Sequence, residues 1–374
     1  MAGLRAISGW VVLAAVLSFA HQPVVAKGLA ITDVTVDKSV LRTGEEAVDI
    51  TFEISAPAVV TLDIFDARDR LIRRVESSSA LEAGGHKLSW DGRDARGRPV
   101  PPEVYVFTLT ARGMDGEEVV FDLTDKTGGE TVIGRHVEYD PKRQTIRYEL
   151  PSSARVFVRA GLKDSSVLRT IVNGAVRRAG TVEDSWDGYD ESGVVYIGEH
   201  PKLQLFVEGF RLSRNSILVV GEEGFPTRPR WIEFADGEPV VYRASGKKRK
   251  GLNIHAYHDR DQCRDARITL SLPDDLPRTA EGLPIVSGPV PLRMEVAPED
   301  SFMVEGQHFE VVYFLNGRMI YENEISYTPY TWVWEPKAYG GGVNYLTAFI
   351  VGFGRHFGVS TVKFMLGSGQ GDSN

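Results

Sequence analysis

The sequence predicts an all-β chain of tandem two-layer sandwiches, and three observations carry that prediction. Apolar and polar residues alternate at period two in run after run, as half-buried strands require. Glycine (38) and proline (19) punctuate those runs at short intervals. Residues 48–97 repeat without gaps at residues 144–193, with thirteen identities where chance gives about three. No convincing helical period occurs after residue 26.

Composition narrows the function classes. Forty-three Lys+Arg stand against 51 Asp+Glu, a formal charge of −8. That balance argues against a nucleic-acid binder, which needs a basic face. The single cysteine, Cys263, excludes a disulfide framework and a four-thiolate zinc site. No CxxCH, GxSxG, HExxH, GxxxxGK[ST] or GxGxxG motif is present, so the familiar haem, hydrolase, zincin and nucleotide signatures are missing.

Residues 1–26 read as a signal peptide. Arg5 supplies the positive n-region and Ile7 to Ala20 the apolar h-region. Cleavage is expected after Ala26, where polar sequence begins at Lys27, rather than after Ala20. No cysteine follows to take a lipid, and no later apolar run reaches the ~18 residues of a spanning helix. The mature chain is therefore expected in the periplasm or outside the cell.

The first unit is expected over residues 27–125. Val48, Ile50, Phe52 and Ile54 make one strand, and Val60, Leu62 and Ile64 the next. Leu71 to Val75, His86 to Trp90 and Val104 to Ala111 follow. Between the last two, Trp90-Asp91-Gly92-Arg93-Asp94-Ala95-Arg96-Gly97 reads WDGxDxxG, a turn in which Asp caps backbone N–H groups and Gly supplies positive φ. The second unit is expected over 126–245. It repeats the motif 96 residues on, with Trp186, Asp187, Gly188, Asp190 and Gly193, and pairs Arg169 with Arg73. It then departs at Val194 to Pro201, resumes from Leu203 to Phe210, and is expected to extend through Ser216–Val220 and Arg230–Phe234.

These repeated residues resemble the immunoglobulin-like domain of flagellar hook-capping proteins, well over 46–112 and less closely over 142–212. Similar sandwiches occur in many exported bacterial proteins and at the C-terminus of type IX secretion cargo. The resemblance implies fold more than function. The hook cap has an N-terminal assembly region and no signal peptide, and sorting domains are C-terminal, so neither role is carried over.

A linker is expected over 246–265, opening with the basic run Gly246-Lys247-Lys248-Arg249-Lys250-Gly251. A third unit over 266–368 contains strands at Ile268–Leu272, Pro289–Val296, Phe309–Leu315, Tyr330–Trp334, Asn344–Gly352 and Val359–Leu366. An Asn316-Gly317 hairpin turn follows the third of these. The hairpin, the Pro329-Tyr330-Thr331-Trp332-Val333-Trp334 run and the following glycines resemble a bacterial Ig-like module over 283–367. Residues 369–374 are expected to be a polar tail. The fold class is thus three tandem immunoglobulin-like or fibronectin-like β-sandwiches after a signal peptide.

Three constellations invite chemistry. His255, His258 and Cys263 offer imidazole and thiol groups that suit zinc or copper. Three residues apart on extended chain, the two imidazoles face opposite ways, so a structural junction is expected instead. Asp91 with Asp94, and Asp187 with Asp190, invite calcium, but two carboxylates per turn are few ligands and turn capping accounts for them. Tyr327, Tyr330, Trp332 and Trp334 form an aromatic run that would bind sugar if exposed and would be core if buried.

The reading is a non-enzymatic structural or adaptor protein that needs no cofactor. It would hold a protein partner in the envelope or an extracellular assembly. A carbohydrate-binding accessory protein and a metal or redox partner acting through the His255/His258/Cys263 segment stand as alternatives. N-terminal sequencing of protein recovered from the native host is expected to begin at Lys27; a start at Met1 would refute the export reading.

Overall fold

In the computed structural model, Val48, Ile50, Phe52 and Ile54 turn one face of β3 (Val48–Ile54) inward, and Thr51 and Glu53 face solvent. The alternation read from the sequence is the geometry of a half-buried strand. Described are residues 28–42, 47–230, 232–235, 237–243, 264–304, 308–324, 326–336, 341–352 and 356–367. The expected signal peptide, the basic run at 246–251, and His255, His258 and Cys263 lie outside the described residues.

β3 runs between β1 (Ile31–Val36) and β6 (Gly84–Trp90) in a three-stranded antiparallel sheet. A second sheet contains β4 (Ala58–Phe65), β5 (Leu71–Glu76) and β7 (Val104–Gly113), with β8 (Glu118–Phe121) on β7. Their inward residues, among them Ile50, Phe52, Val60, Leu62, Trp90 and Phe107, share one core. Two sheets with a common apolar interior are the sandwich solution for strands that are apolar on one face.

The second pair of sheets follows the same plan. β11 (Thr145–Leu150) lies between β10 (Arg135–Asp140) and β14 (Gly180–Ser185). Against it, β13 (Val167–Arg177), β12 (Ala154–Leu162), β15 (Leu203–Arg211) and β9 (Thr131–Ile133) are ordered 13-12-15-9. Register repeats with the sequence. Ile50 faces Leu88 and Ile54 faces Gly84; 96 residues on, Ile146 faces Asp184 and Leu150 faces Gly180.

A third pair places β19 (Val290–Val296) between β17 (Ile268–Ser271) and β22 (Tyr330–Trp334). Opposite are β18 (Ile285–Val286), β24 (Phe357–Leu366), β23 (Gly342–Gly352), β20 (Phe309–Leu315) and β21 (Arg318–Asn323). Asn316 and Gly317 turn between β20 and β21 with φ of 50° and 80°. One core again joins the two sheets, through Leu292, Met294, Tyr313, Leu346 and Phe364.

The main departure from the sequence reading lies at Ser216–Val220. This strand, β16 (Ser216–Val220), does not extend the second pair of sheets. It returns to the first, antiparallel to β7 and parallel to β2 (Val40–Arg42). Ile217 and Val219 join the first core with no exposed surface. Arg230–Phe234 is not a second-unit edge either: Ile232 packs in the first core, and the Arg70 guanidinium lies 4.8 Å from the Phe234 ring centre. Residues 126–212 are thus inserted between two parts of one sandwich.

That placement makes a specific prediction. Ile217→Ala should cost about 2–5 kcal/mol by opening a cavity in the first core. Hydrogen exchange should accelerate at Val104–Phe107 while Ala154–Ala160 keeps its protection. Loss of protection confined to Ala154–Ala160 would refute the placement.

Candidate functional site

The repeated turns are built alike from the backbone outward. Trp90 and Trp186 are buried in their cores, and each indole N–H donates to the carbonyl three residues on, Arg93 O or Tyr189 O, at 2.9 Å. Asp91 accepts from Arg93 N (3.1 Å) and Asp187 from Tyr189 N (3.0 Å). Asp94 accepts from the N–H groups of Arg96 and Arg98; Asp190 accepts from those of Val194 and Val195. Arg73 reaches Asp94 O at 3.1 Å, and Arg169 reaches Asp190 O at 3.2 Å. Gly92, Gly97, Gly188 and Gly193 hold φ between 67° and 81°, the region L side chains avoid. The four carboxylates are thus engaged in closing turns, as Asp side chains do.

The two turns differ in one buried feature. Asp94 Oδ2 also meets Arg98 Nε at 2.8 Å. Asp190 is fully buried, and its Oδ2 has no hydrogen-bond partner among the described residues.

Buried arginines fasten the sandwiches together. Arg155 on β12 is wholly buried and donates to Gly174 O (2.6 Å) and to Glu103 of the first sandwich (3.1 Å). At the same boundary, Ala67, Val104 and Leu218 from the first sandwich pack with Val176 and Leu212 from the second. The chain crosses this boundary twice, and the crossings are tied where Arg214 N donates to Thr127 Oγ1 at 2.9 Å.

Arg159, two turns of the pleat further along β12, fastens the third sandwich. Its Nε and Nη2 grip both oxygens of Asp265 at 2.7 and 2.8 Å, and Nη1 meets Glu208 at 2.6 Å. Its guanidinium lies 4.6 Å from the ring centres of Phe157 and Phe357, one from each sandwich. Asp265 also accepts from Thr170 Oγ1 (2.7 Å) and Phe357 N (3.1 Å), and its backbone exchanges hydrogen bonds with Asn173. Burial opposes the arginine's charge, but the Asp265 and Glu208 carboxylates outweigh it and raise its pKa. A bidentate, fully hydrogen-bonded pair of this kind is directional as well as strong.

The returning segment is fastened in the same way. Arg243 meets Asp122, Asp69 and Asp125 at 2.8–3.2 Å. The segment also covers sheet edges: Leu71 N on β5 donates to Val241 O, and Asn173 N on β13 donates to Thr227 O. Uncovered edges invite strand addition. Among the edges left are β21 and part of β15. β21 ends its sheet, and β9 pairs only with Glu208–Phe210, so Leu203–Leu205 of β15 lack a strand on that side. Beside the latter runs a groove of about 370 Å³ lined by Ile133, Val137, Leu205, Phe206 and Phe357.

The aromatic run of the third sandwich is mostly interior. Trp334 and Tyr330 are buried; Trp332 is half-buried and stacks on Tyr321 at 4.2 Å. Only Tyr327 is exposed, so the flat sugar-stacking face considered from the sequence is not formed. Among the described residues no three or more His, Cys, Asp or Glu converge as a metal site. Sequence reasoning missed the arginine junctions. Their one signal was Phe157 between Arg155 and Arg159, an aromatic residue on the face of β12 that alternation assigns to solvent.

A sequence model of the FlgD Ig-like domain matches residues 37–115, the stretch from β2 through β7 that contains the first turn. That stretch is Ig-like on this finding. No curated protein matches the chain. Solved structures similar to it include the fibronectin(III)-like modules of Clostridium thermocellum CbhA, 10% identical, covering 89% of this chain and 93% of that one at a TM-score of 0.19. A structure concerned with host cell surface retention of a bacterial ice-binding adhesin is 10% identical, covering 90% and 98% at 0.18. The central fibronectin-III array of RIM-binding protein is 9% identical, covering 91% and 97% at 0.19. Scores this low say nothing of how the sandwiches are arranged or what they bind.

The Arg159–Asp265 pair yields a prediction. Asp265→Ala removes the bidentate partner of the buried Arg159 guanidinium and leaves Glu208 as its one carboxylate, which should cost about 3 kcal/mol. Denaturant unfolding should show the third sandwich melting apart from the other two. An unchanged midpoint would show that the pair fastens nothing.

Proposed function

We propose that this chain is an exported, non-enzymatic structural or adaptor protein of the bacterial envelope or exterior. In this reading residues 1–26 are removed on export, and the mature chain is a rigid array of three Ig-like sandwiches holding a protein partner. The two WDGxDxxG units are copies of one ancestral module, the second inserted into the first. The division that follows is 28–124 with 215–243, then 126–212, then 264–367.

The observation that carries the reading is the set of buried arginine junctions. Multidomain chains whose sandwiches move freely need only flexible linkers, whereas here Arg155 and Arg159 fix the units by charge-assisted bonds, and Arg243 fastens the returning segment to the first. Fixed sandwiches hold edges at set positions, which suits a spacer or adaptor. The unpaired stretch of β15 with the adjoining Ile133 and Phe206 supplies a place for an extended partner segment, through backbone pairing and apolar contact.

Chemical cross-linking in cells of the native host, followed by mass spectrometry, tests this. Cross-links to one envelope or extracellular protein should recur, and Phe206→Asp should remove them while the chain stays folded. Recovery only with glycan, or cross-links indifferent to which surface is altered, would contradict the adaptor reading.

A further inference from the structure

The two repeated turns share a backbone and differ in what they present to solvent. In the first, Arg93 is the residue after Gly92. Its Nη1 donates to Gly97 O at 2.8 Å, and its Nε lies 3.9 Å from Asp91. The turn carries its own cation beside its own exposed carboxylate.

In the second, Tyr189 stands at the Arg93 position. Tyr196 bridges to it as Pro99 bridges to Arg93. The two tyrosine rings meet edge to face at 5.2 Å, and about two-fifths of each residue stays exposed (40% and 42%). Tyr139 sits beside Tyr196, its ring tilted against Trp186 at 4.7 Å and its hydroxyl donating to Trp186 O. Gly188 and Gly198 make room, since a Cβ on either would run into Tyr196 and Tyr139.

Asp187 and Glu199 are exposed, and each adjoins in the chain one of the two glycines, Gly188 and Gly198, that lie against these rings. Burial, then the neighbouring Tyr196, Asp187 and Glu199, pushes the Tyr139 hydroxyl up to about 12. Among the described residues no cation lies within ion-pair distance of Asp187 or Glu199, whereas Asp91 has Arg93.

We propose that the second turn is a docking site for an arginine or lysine side chain of a protein partner, received on the Tyr189 and Tyr196 rings with Asp187 and Glu199 as counter-charges. The first turn shows the same backbone with the cation supplied from within. The second keeps the acid and replaces the cation with two aromatic rings. Aromatic faces attract cations, more strongly as water is excluded. The chain's formal charge of −8 favours approach of a basic partner. This assignment rests on the reading that the chain binds a protein partner and names the chemistry of one contact.

The test titrates the full chain, with ring-labelled tyrosine, against the peptide acetyl-Gly-Arg-Arg-Gly-amide. Its citrulline counterpart, of equal shape and no charge, and an N-acetylglucosamine tetramer are run in parallel. The Tyr189 and Tyr196 ring signals should move and saturate with the arginine peptide, with citrulline weakening binding about tenfold. Tyr189→Arg, which fills the site from within, should abolish binding, and Tyr189→Phe should keep it. Thermal unfolding of each variant reports that the fold is retained.

Equal response to citrulline, response to the sugar instead, or none at millimolar peptide would overturn the site. If a native partner cross-links equally to wild type and to Tyr189→Arg, the site fails while the adaptor reading stands. If the peptide binds as expected and no native protein cross-links, the site stands and the adaptor reading fails.

Discussion

A guanidinium taken out of water must be met on every side, and Arg159 is where this chain accepts that constraint. Its strand belongs to the second sandwich, one carboxylate partner is Asp265 of the third, and aromatic rings from both lie against its faces. No small displacement keeps all of these contacts, because the bidentate geometry has a direction and the low dielectric penalises any unpaired remainder. Arg155 imposes the same condition on the first boundary through Glu103. Both lie on β12, so one strand of the inserted sandwich holds the other two in place.

The insertion reinforces this. A sandwich joined by one linker can swing; one entered and left through adjacent crossings is held at two points. β16 adds a third restraint, because its residues are core to the first sandwich and cannot leave without opening it. The returning segment then covers the edges of β5 and β13. Rigidity and the covering of these two edges thus have a common origin in the returning segment.

Much of this was legible in the residues. The strands around Val48–Ile54, Leu71–Val75 and Tyr330–Trp334 were readable because period-two alternation depends only on local geometry. The 96-residue repeat was readable because its turn needs Asp and Gly at fixed places, and the hydrogen bonds of Asp94 and Asp190 give the reason. The destination of Ser216–Val220 was not readable. Its apolar run suits either sandwich, and pairing with Val104–Val106 spans more than a hundred residues, a choice decided by which edge stands open. The arginine junctions were hidden for a related reason: Arg155 and Arg159 look like solvent-facing residues until a neighbouring sandwich covers them. The Tyr189 and Tyr196 pair was concealed by the motif itself, which specifies Trp, Asp and Gly and leaves the intervening position free.

The claim that the three sandwiches form one rigid array is most directly tested by an electron-spin distance measurement. Labels at Met114→Cys and Met319→Cys, both exposed, report on the first and third sandwiches once Cys263 is replaced by serine. A single narrow distance distribution is expected, broadening when Asp265→Ala is added. A broad distribution in the chain with Asp265 intact would contradict the account.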